Sequence, residues 1–507
     1  MNTEAITLES LHETIQHQMK IIEEKDKEIA LLQEKVDYLI RQKFASSSEK
    51  FPDNQPSLFD DALCETIATE EDTEVEEVTI VRKKRGNRTT PPESLPHIRV
   101  EHDLEEQEKV CSCGCALQRI KELVSHQYDV IPAQFQVIKN VRFVYACACK
   151  CGAKVKTSTL SPQVLPRHQV TPSFLAAIAV QKFEDALPLE RQAKIYKQRF
   201  GVAFTSTTFS EWMIKASRLR LEPLIDRFHA IQIQSGYIHA DETTLQVLKE
   251  PRKRAQSKSY IWLKVSQDKH PIVLMYYSAN RAASTAQSLF KGFTGYLQTD
   301  GYPGYNSVAA GEGVTQLGCW AHARRKFADI VKSGVSDAQS KAYASQAVSL
   351  IAGLYKIEKE IKERPPNEKR TIRKEKSEPI VNTIRAWLDA NFFSAQQLGG
   401  GIAKAFVYLN NQFGKLSVYL EDGRLAIDNN KAENHVRPIA LGRKNWLFAT
   451  STKGATALAN WYSVIETAKA NGLDPYAYLR YLLTELPVYQ AEGKEIDPLL
   501  PWNVSLG

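Results

Sequence analysis

Three acidic residues stand where a protein could hold divalent metal ions, and they indicate the chemistry that the chain can support. Asp241 and Asp300 each lie at the end of a short apolar run, and Glu433 lies in the segment 428–438. Carboxylates on rigid elements can hold two divalent ions about 4 Å apart, which stabilises both the attacking and the leaving oxygen of a phosphodiester. We therefore expect Asp241, Asp300 and Glu433 to be catalytic.

Alternating apolar residues after Gly236 predict the sheet that would position the two aspartates. Strands are predicted at 237–247, 260–265, 271–277, 296–300 and 314–317, with short helices before and after the fourth. Three strands, helix, strand, helix, strand is the element order of an RNase H-like fold, in which the first and fourth strands are neighbours. Asp241 and Asp300 would then face each other.

The third acid is expected on a helix that follows a long insertion. Residues from about 332 to 425 have a mainly helical pattern, and the catalytic domain resumes with Asp428. Asp428 is predicted as the N-cap of a short helix and Pro438 as its end, so that Glu433 falls inside it. This helix would bring Glu433 against the sheet beside the aspartates.

The first forty residues have the heptad pattern of a coiled coil. The a positions are β-branched except for the first, and Leu occupies three of the five d positions, which favours a parallel two-stranded assembly. Gln18 and Lys25 take the two polar d positions. We expect self-association through residues 1–50, against the alternative of a single amphipathic helix that packs on its own domain.

Charge is distributed unevenly along the 507 residues, whose formal net charge is +7. Residues 1–50 carry seven basic and ten acidic side chains, and residues 51–81 carry ten acids and no Lys or Arg, so the remainder carries +20. A short basic run from Arg82 to Arg88 follows the acidic segment. Residues 51–95 are therefore predicted to be a solvated linker, and the basic remainder is expected to bind nucleic acid.

Six of the eight cysteines fall into two tight clusters, which predicts a structural zinc site. The six are Cys111, Cys113, Cys115, Cys147, Cys149 and Cys151. Four of these thiolates could bind one zinc ion, and the spacing does not choose among them. Residues 135–145 between the clusters alternate like a strand. A set of reduced, buried cysteines is the alternative.

Residues 166–232 are predicted to be helical, with two helices separated by Gly201 in the manner of a helix-turn-helix. Basic side chains elsewhere are candidates for contacts with DNA phosphates, and they are Arg324, Arg325, Lys326, Arg437, Arg443 and Lys444. Cys319 and His322 are predicted to pack near the active centre, because two ligands do not make a zinc site. Trp446 is predicted to be a core residue.

Several long motifs resemble those of bacterial transposases of the insertion sequence 66 family, which are DDE transposases. The shared blocks include Leu187-Pro-Leu-Glu-Arg-Gln, Ala240-Asp-Glu-Thr, Gln298-Thr-Asp-Gly-Tyr-Pro-Gly-Tyr, Cys319-Trp-Ala-His-Ala-Arg-Arg, Asn429-Asn-Lys-Ala-Glu and Leu441-Gly-Arg-Lys-Asn-Trp-Leu-Phe. The resemblance implies that Asp241, Asp300 and Glu433 are the catalytic triad. The cysteine clusters lack the family's usual Cys-x-x-Cys pairs, which leaves the choice of zinc ligands open.

The resemblance also implies a function, cofactors and partners. The enzyme would bind the ends of an insertion sequence, cleave with two magnesium (or manganese) ions, and join the 3′-hydroxyl ends to target DNA. Small accessory proteins of the same element are further expected partners. The clustered cysteines indicate a reducing cytosol, and no stretch is apolar enough to span a membrane. We expect a cytoplasmic protein associated with the bacterial nucleoid. A zinc-containing DNA-binding regulator without catalysis and an RNase H-type nuclease remain as alternatives.

The predicted fold class is a multidomain α+β or α/β protein. Its expected domains are a coiled coil (1–50), a linker (51–95), a zinc module (96–165), a helix-turn-helix-like region (166–232), a catalytic domain (233–470) with its helical insertion (about 332–425), and a C-terminal helical tail (471–507).

Overall fold

The computed structural model describes Gln18, Met19, Lys25 and residues 134–145, 156–266, 268–333 and 337–506. The predicted coiled coil, apart from those three residues, lies outside them, as do the linker and all six clustered cysteines. Residues 134–141 belong to one compact unit, and the remaining described residues belong to another. In the second unit Val144–Tyr145 (β1) pairs antiparallel with Lys156–Thr157 (β2).

The strand predicted for residues 135–145 is therefore limited to its last two residues. Residues 134–143 have no regular secondary structure, although their apolar side chains alternate. Alternation alone does not make a strand, because a strand also needs a neighbour for its backbone hydrogen bonds. Val137 and Ile138 remain exposed.

Four helices precede the main sheet, in agreement with the helical character predicted for residues 166–232. They are α1 (Pro172–Phe183), α2 (Leu189–Phe200), α3 (Ser206–Ala216) and α4 (Glu222–Ile233). Thr205 caps α3 by accepting a hydrogen bond from the Thr208 N–H at 3.1 Å. Gly201 ends α2 with φ +72°, a left-handed conformation that glycine adopts without steric cost.

The sheet has the strand neighbours that the sequence predicts. Its strands are β3 (Tyr237–Lys249), β4 (Lys258–Ser266), β5 (Ile272–Ser278), β6 (Gly295–Gln298) and β7 (Val314–Leu317), in the spatial order β5-β4-β3-β6-β7. The first three strands form an antiparallel meander, and β6 and β7 continue the sheet in parallel with β3. The first and fourth strands are thus adjacent. Helix α5 (Ala283–Leu289) and helix α6 (Asn306–Ala309) flank β6 in the chain.

The two faces of the sheet contact different partners because successive side chains of a strand point to opposite sides. On β3, Ile238 and Ala240 join a core with Trp262 and Phe290. Tyr237 joins another core, formed mainly by the helices that follow the sheet. Residues 237, 239 and 241 therefore share the face that meets those helices.

The helices after β7 form the second core. They are α7 (Trp320–Ser333), α8 (Ala338–Glu360), α9 (Pro366–Ile372), α10 (Glu378–Leu398) and α11 (Gly400–Ser417). Buried apolar side chains from four of these helices pack together, including Phe327, Ile351, Leu388 and Phe406. This confirms the mainly helical character predicted for residues 332–425.

The last elements of the chain return to the sheet. They are α12 (Asn430–Trp446), β8 (Ala449–Ser451), α13 (Thr452–Ala470) and α14 (Pro475–Glu492). Strand β8 pairs with the far end of β3, where Val247 lies opposite Ala449. Within the described ranges, we find no helix with the length and apolar character of a membrane span.

Two details predicted for α12 are wrong. Pro438 lies inside this helix, which continues to Trp446, and Asn429 rather than Asp428 is its N-cap residue. Asp428 acts one position earlier, where its Oδ1 accepts a hydrogen bond from the Asn430 N–H at 3.1 Å. The helix survives its proline because apolar residues on both sides, such as Ala432 and Ile439, are buried in tertiary contacts.

Candidate active site

The register of β3 against β6 places Asp241 and Asp300 at the same level of the sheet. His239 lies opposite Gln298, and each aspartate follows two residues later. Asp300 is held in place after the strand ends, because its Oδ1 accepts from the Tyr302 N–H at 2.9 Å and its carbonyl accepts from the Tyr408 hydroxyl at 2.7 Å. The two carboxylates therefore meet just beyond the last parallel pair of β3 and β6, where β6 ends and β3 continues to Lys249.

Glu242 is a third carboxylate in this group, and sequence reasoning missed it. Oxygen atoms of Asp241, Glu242 and Asp300 lie within 4.8 Å of one another. The Glu242 carboxylate accepts hydrogen bonds from the Arg281 Nε at 2.7 Å and from the Tyr305 hydroxyl at 2.7 Å. The only sequence signal was its position beside Asp241, which alternation would assign to the opposite face.

The acidic group is electrostatically unfavourable without a cation. Burial raises the pKa of Asp241 well above its usual range, and the negative charges of Glu242 and Asp300 raise it further. Burial also raises the pKa of Glu242, an effect that the Tyr305 hydrogen bond and Arg281 oppose. A cluster of carboxylates with this property favours a bound positive charge.

A buried asparagine connects helix α12 to the strand that carries Asp241. The Asn429 Nδ2 donates to the Ala240 carbonyl at 2.8 Å, and its Oδ1 accepts from the His239 Nδ1 at 3.0 Å. The Asn429 backbone N–H donates to the Cys319 Sγ at 3.2 Å. Because Glu433 follows one helical turn later, these bonds fix the start of the helix and hence where Glu433 can lie.

Glu433 sits at this face but pairs with helix α7. Its Oε2 lies 3.3 Å from the Arg325 Nη2, and its Oε1 lies 3.6 Å from the His322 Nδ1. That Oε1 is buried and has no hydrogen-bond partner among the described residues. The Glu433 charge also raises the pKa of Asp241, which places the two carboxylates within electrostatic range. Glu433 nevertheless lies in a different cluster, because its carboxylate oxygen is within 4.8 Å of ligand atoms of Cys319 and His322.

Cys319 is poorly suited to bind a metal at this place. Its thiol is fully buried, and burial raises its pKa to about 12. A metal ligand must be the thiolate, whereas this sulfur accepts the backbone N–H of Asn429. The arrangement agrees with the predicted packing role of Cys319.

The acidic residues fit divalent magnesium or manganese. Asp241, Glu242 and Asp300 offer only carboxylate oxygens, which are the ligands that hard cations prefer. The unpartnered Glu433 Oε1 is a buried acceptor that a cation could satisfy. Among the described residues, two clusters of three potential metal ligands occur: Asp241, Glu242 and Asp300, and Cys319, His322 and Glu433.

The basic residues predicted to contact DNA lie in different environments. Arg324 is only 5% exposed, and Arg325 pairs with Glu433. Lys326 is exposed, with its Nζ 4.6 Å from the centre of the Tyr408 ring. The remaining three lie on α12. Of these, Arg437 and Lys444 are exposed, whereas Arg443 is half-buried and donates to the Thr244 Oγ1 at 2.8 Å.

Family models match nearly all of the chain after residue 30. The model described as "Transposase IS66 family" matches residues 167–457, and "IS66 C-terminal element" matches residues 463–502. "Zinc-finger binding domain of transposase IS66" matches residues 108–151, which include all six clustered cysteines. "Transposase C of IS166 homeodomain" matches residues 31–100.

Relatives from Sinorhizobium fredii are similar over most of their length. The uncharacterized protein y4jD is 32% identical over 428 residues, which are 81% of each chain. The uncharacterized protein y4qI is 32% identical over 428 residues, covering 80% of this chain and 75% of its own. The uncharacterized protein y4hP is 28% identical over 441 residues, covering 83% and 77%.

Proposed function

Because the chain belongs to the IS66 transposase family, we propose that it binds the ends of an insertion sequence, cleaves their phosphodiester bonds and joins the 3′-hydroxyl ends to target DNA. In this proposal Asp241, Asp300 and Glu433 are the catalytic acids. The observation that carries it is the convergence of Asp241 on β3 with Asp300 just after the neighbouring β6, near the start of the helix that carries Glu433.

Cleavage of a phosphodiester requires that the negative charge on the attacking and departing oxygens be stabilised. Two magnesium or manganese ions, when bound, would polarise the phosphate and stabilise the attacking and departing oxygens. Asp241, Asp300 and Glu433 would hold them, with Glu242 beside Asp241. Tyr302 and Tyr408 fix the position of Asp300 through hydrogen bonds to its side chain and to its carbonyl.

We propose two roles for Arg325. It holds the Glu433 carboxylate at 3.3 Å, and it keeps a positive charge beside the site. The guanidinium thereby orients Glu433 on one side while leaving its Oε1 available. A guanidinium in this position also suits a contact with a DNA phosphate.

The other parts of the proposal concern architecture and partners. The strand order and the mixed parallel and antiparallel pairing support an RNase H-like catalytic domain over residues 233–470. We further propose zinc binding by four of the six clustered cysteines, self-association through residues 1–50, and DNA contacts from residues 166–232. We also propose that accessory proteins of the same element are partners and that the protein is located at the bacterial nucleoid.

Cleavage of labelled element ends tests the proposal. The duplex carries the terminal repeat of the element that encodes the chain, and the reaction contains magnesium. Asp300→Asn should reduce cleavage by about a thousandfold or more, because it removes a charge from the metal-binding group, while DNA binding is retained. Asp329→Asn on the exposed side of α7 is the matched control and should cleave normally.

The same assay separates the alternatives. A DNA-binding regulator would bind the ends and leave them intact under every metal condition. An RNase H-type nuclease would cut the RNA strand of a labelled RNA–DNA hybrid in preference to the duplex. Wild-type cleavage by Asp300→Asn would refute the assignment of this residue.

A further inference from the structure

The end of helix α12 forms a strained, exposed turn. Leu447 has φ +61° and ψ −53°, a combination that residues other than glycine rarely adopt. The Phe448 N–H donates to the Trp446 carbonyl at 2.7 Å, which closes a three-residue γ-turn of the rare positive-φ form around Leu447. Strained backbone of this kind persists only where the surroundings hold it, and it is concentrated at functional sites.

The structure holds this turn firmly from several sides. Before the turn, the Arg443 guanidinium donates to the Thr244 Oγ1 at 2.8 Å, and the Asn445 Nδ2 donates to the Ala186 carbonyl at 3.1 Å. After the turn, Ala449 pairs with Val247 of β3. The turn is therefore fixed at once to the C-terminal half of β3 and to the connection between α1 and α2.

The strain keeps two large apolar side chains in solvent. Leu447 is 62% exposed and Phe448 is 39% exposed. The preceding Trp446 is turned inward, with the Lys182 Nζ 5.3 Å from the centre of its ring. A glycine at 447 would adopt the same backbone without strain, so the leucine contributes a side chain that folding does not require.

The surroundings of this apolar pair are basic. Residues 434–465 contain four Lys or Arg and no Asp or Glu. Arg437, Leu441 and Lys444 recur at steps of four and three, share one exposed face of α12 and lead from Glu433 toward the turn. Lys453 is exposed on the other side of it. This charge suits a nucleic acid and disfavours another basic surface.

We propose that Leu447 and Phe448 form a wedge that inserts between base pairs of the bound DNA duplex, about six base pairs from the phosphate to be cut. The inference rests on the proposed function, in that the duplex passes over the carboxylates, and it takes the duplex to run along the exposed basic face of α12. Leu447 follows Glu433 by fourteen residues of α12, or about 20 Å at 1.5 Å per residue. At 3.4 Å per base pair this distance corresponds to about six base pairs. Apolar wedges of Phe and Leu unstack base steps and bend the duplex in other proteins.

Fluorescence of 2-aminopurine tests the wedge without any cleavage. Duplexes with the terminal repeat carry the probe at single positions one to ten base pairs from the scissile phosphate, in buffer without added divalent cation. Full-length wild type should increase fluorescence at steps near six base pairs, where the base unstacks. The double variant Leu447→Ala/Phe448→Ala should lose this increase and bind about tenfold more weakly. Phe393→Ala, which removes a 73% exposed phenylalanine from α10, is the matched control and should behave as wild type.

Leu447→Gly separates contact with DNA from a structural role. It should raise the midpoint temperature of unfolding, because the strain is relieved, and yet reduce the fluorescence increase. If the turn served only the fold, a more stable variant would distort DNA as well as wild type does.

Three further outcomes separate the wedge from contact with a second copy and from the cleavage chemistry. No fluorescence change in wild type, or a change that persists in the double variant, would overturn the wedge. Loss of self-association in the double variant with unchanged DNA binding would also overturn it and would assign the apolar pair to contact with a second copy. A wild type that distorts the duplex at this step but never cleaves it with magnesium would refute the proposed function and leave the wedge intact.

Discussion

Asn429 offers a test of how the site is assembled, because it touches the strand and begins the helix. Its side chain does not cap α12, so Asn429→Ala removes no helix-capping bond. The substitution instead removes the hydrogen bonds to the Ala240 carbonyl and to the His239 Nδ1. Its effects should therefore come from the connection between strand and helix.

The expected cost follows from the burial of these groups. Asn429 and His239 are both fully buried, and the His239 Nε2 already has no hydrogen-bond partner among the described residues. Losing the bond to Ala240 costs about 1 kcal/mol, and leaving the His239 Nδ1 unpaired costs about 2 kcal/mol. We expect the free energy of unfolding to fall by about 3 kcal/mol.

The catalytic effect should exceed what reduced stability alone produces. With the start of α12 released, the position of Glu433 relative to Asp241 is no longer held by this bond, and residues that orient metal ligands typically contribute about 10- to 100-fold to activity or metal affinity. At a temperature where the variant is fully folded, the cleavage rate should fall by this factor and more magnesium should be needed. Denaturant unfolding and single-turnover cleavage of labelled ends measure the two effects.

Asn410→Ala is the control for the loss of an asparagine. Asn410 is exposed on α11 and accepts a hydrogen bond from Arg385, also at the surface, so its loss should change stability by about 0.5 kcal/mol or less. If Asn429→Ala unfolded at the same midpoint denaturant concentration as wild type, the expected cost of unpairing these buried groups would be refuted. A wild-type cleavage rate and magnesium requirement would refute the role of Asn429 in positioning Glu433.

The remaining predictions concern pH, salt and zinc. Burial lowers the pKa of Lys264 from 10.5 to about 7. Between these two pH values the folded state binds fewer protons than the unfolded state, so the free energy of unfolding should rise from pH 7 to 10.5. Lys264→Met should flatten that rise and the exposed Lys258→Met should not, as denaturant unfolding at each pH will show. Arg437→Ala/Lys444→Ala should reduce the slope of log affinity against log salt by about two if both contact phosphates, and an unchanged slope removes them from the contact surface. Arg443→Ala/Lys444→Ala should also give a shallower slope. Elemental analysis should find one zinc per chain, lost when the clustered cysteines are replaced by serine.

Local patterns were sufficient for much of the fold. Alternation predicted the strands around Asp241 and Asp300, and the order of elements predicted that β3 and β6 would be neighbours. The family motifs identified the transposase family, which the family models confirm. These features depend on residues close together in the chain, which is why a single sequence could reveal them.

Other predictions failed where long-range packing decided the outcome. Pro438 was expected to end its helix, but buried neighbours on both sides carry α12 through to Trp446. Alternation over residues 135–145 predicted a strand, yet only Val144–Tyr145 forms one. For Pro438, the tertiary contacts of the helix outweighed the local preference of proline to end it. For the predicted strand, the local pattern was not sufficient because no neighbouring strand pairs with it.

The sequence by itself predicted three catalytic acids and the two neighbouring strands that position Asp241 and Asp300. Only the tertiary structure decided that Glu242 joins Asp241 and Asp300, that Asn429 ties α12 to β3, and that Arg325 holds Glu433. These contacts join residues that are between one and 190 positions apart. Their geometry depends on side-chain direction and on the register between distant elements, which no local pattern specifies.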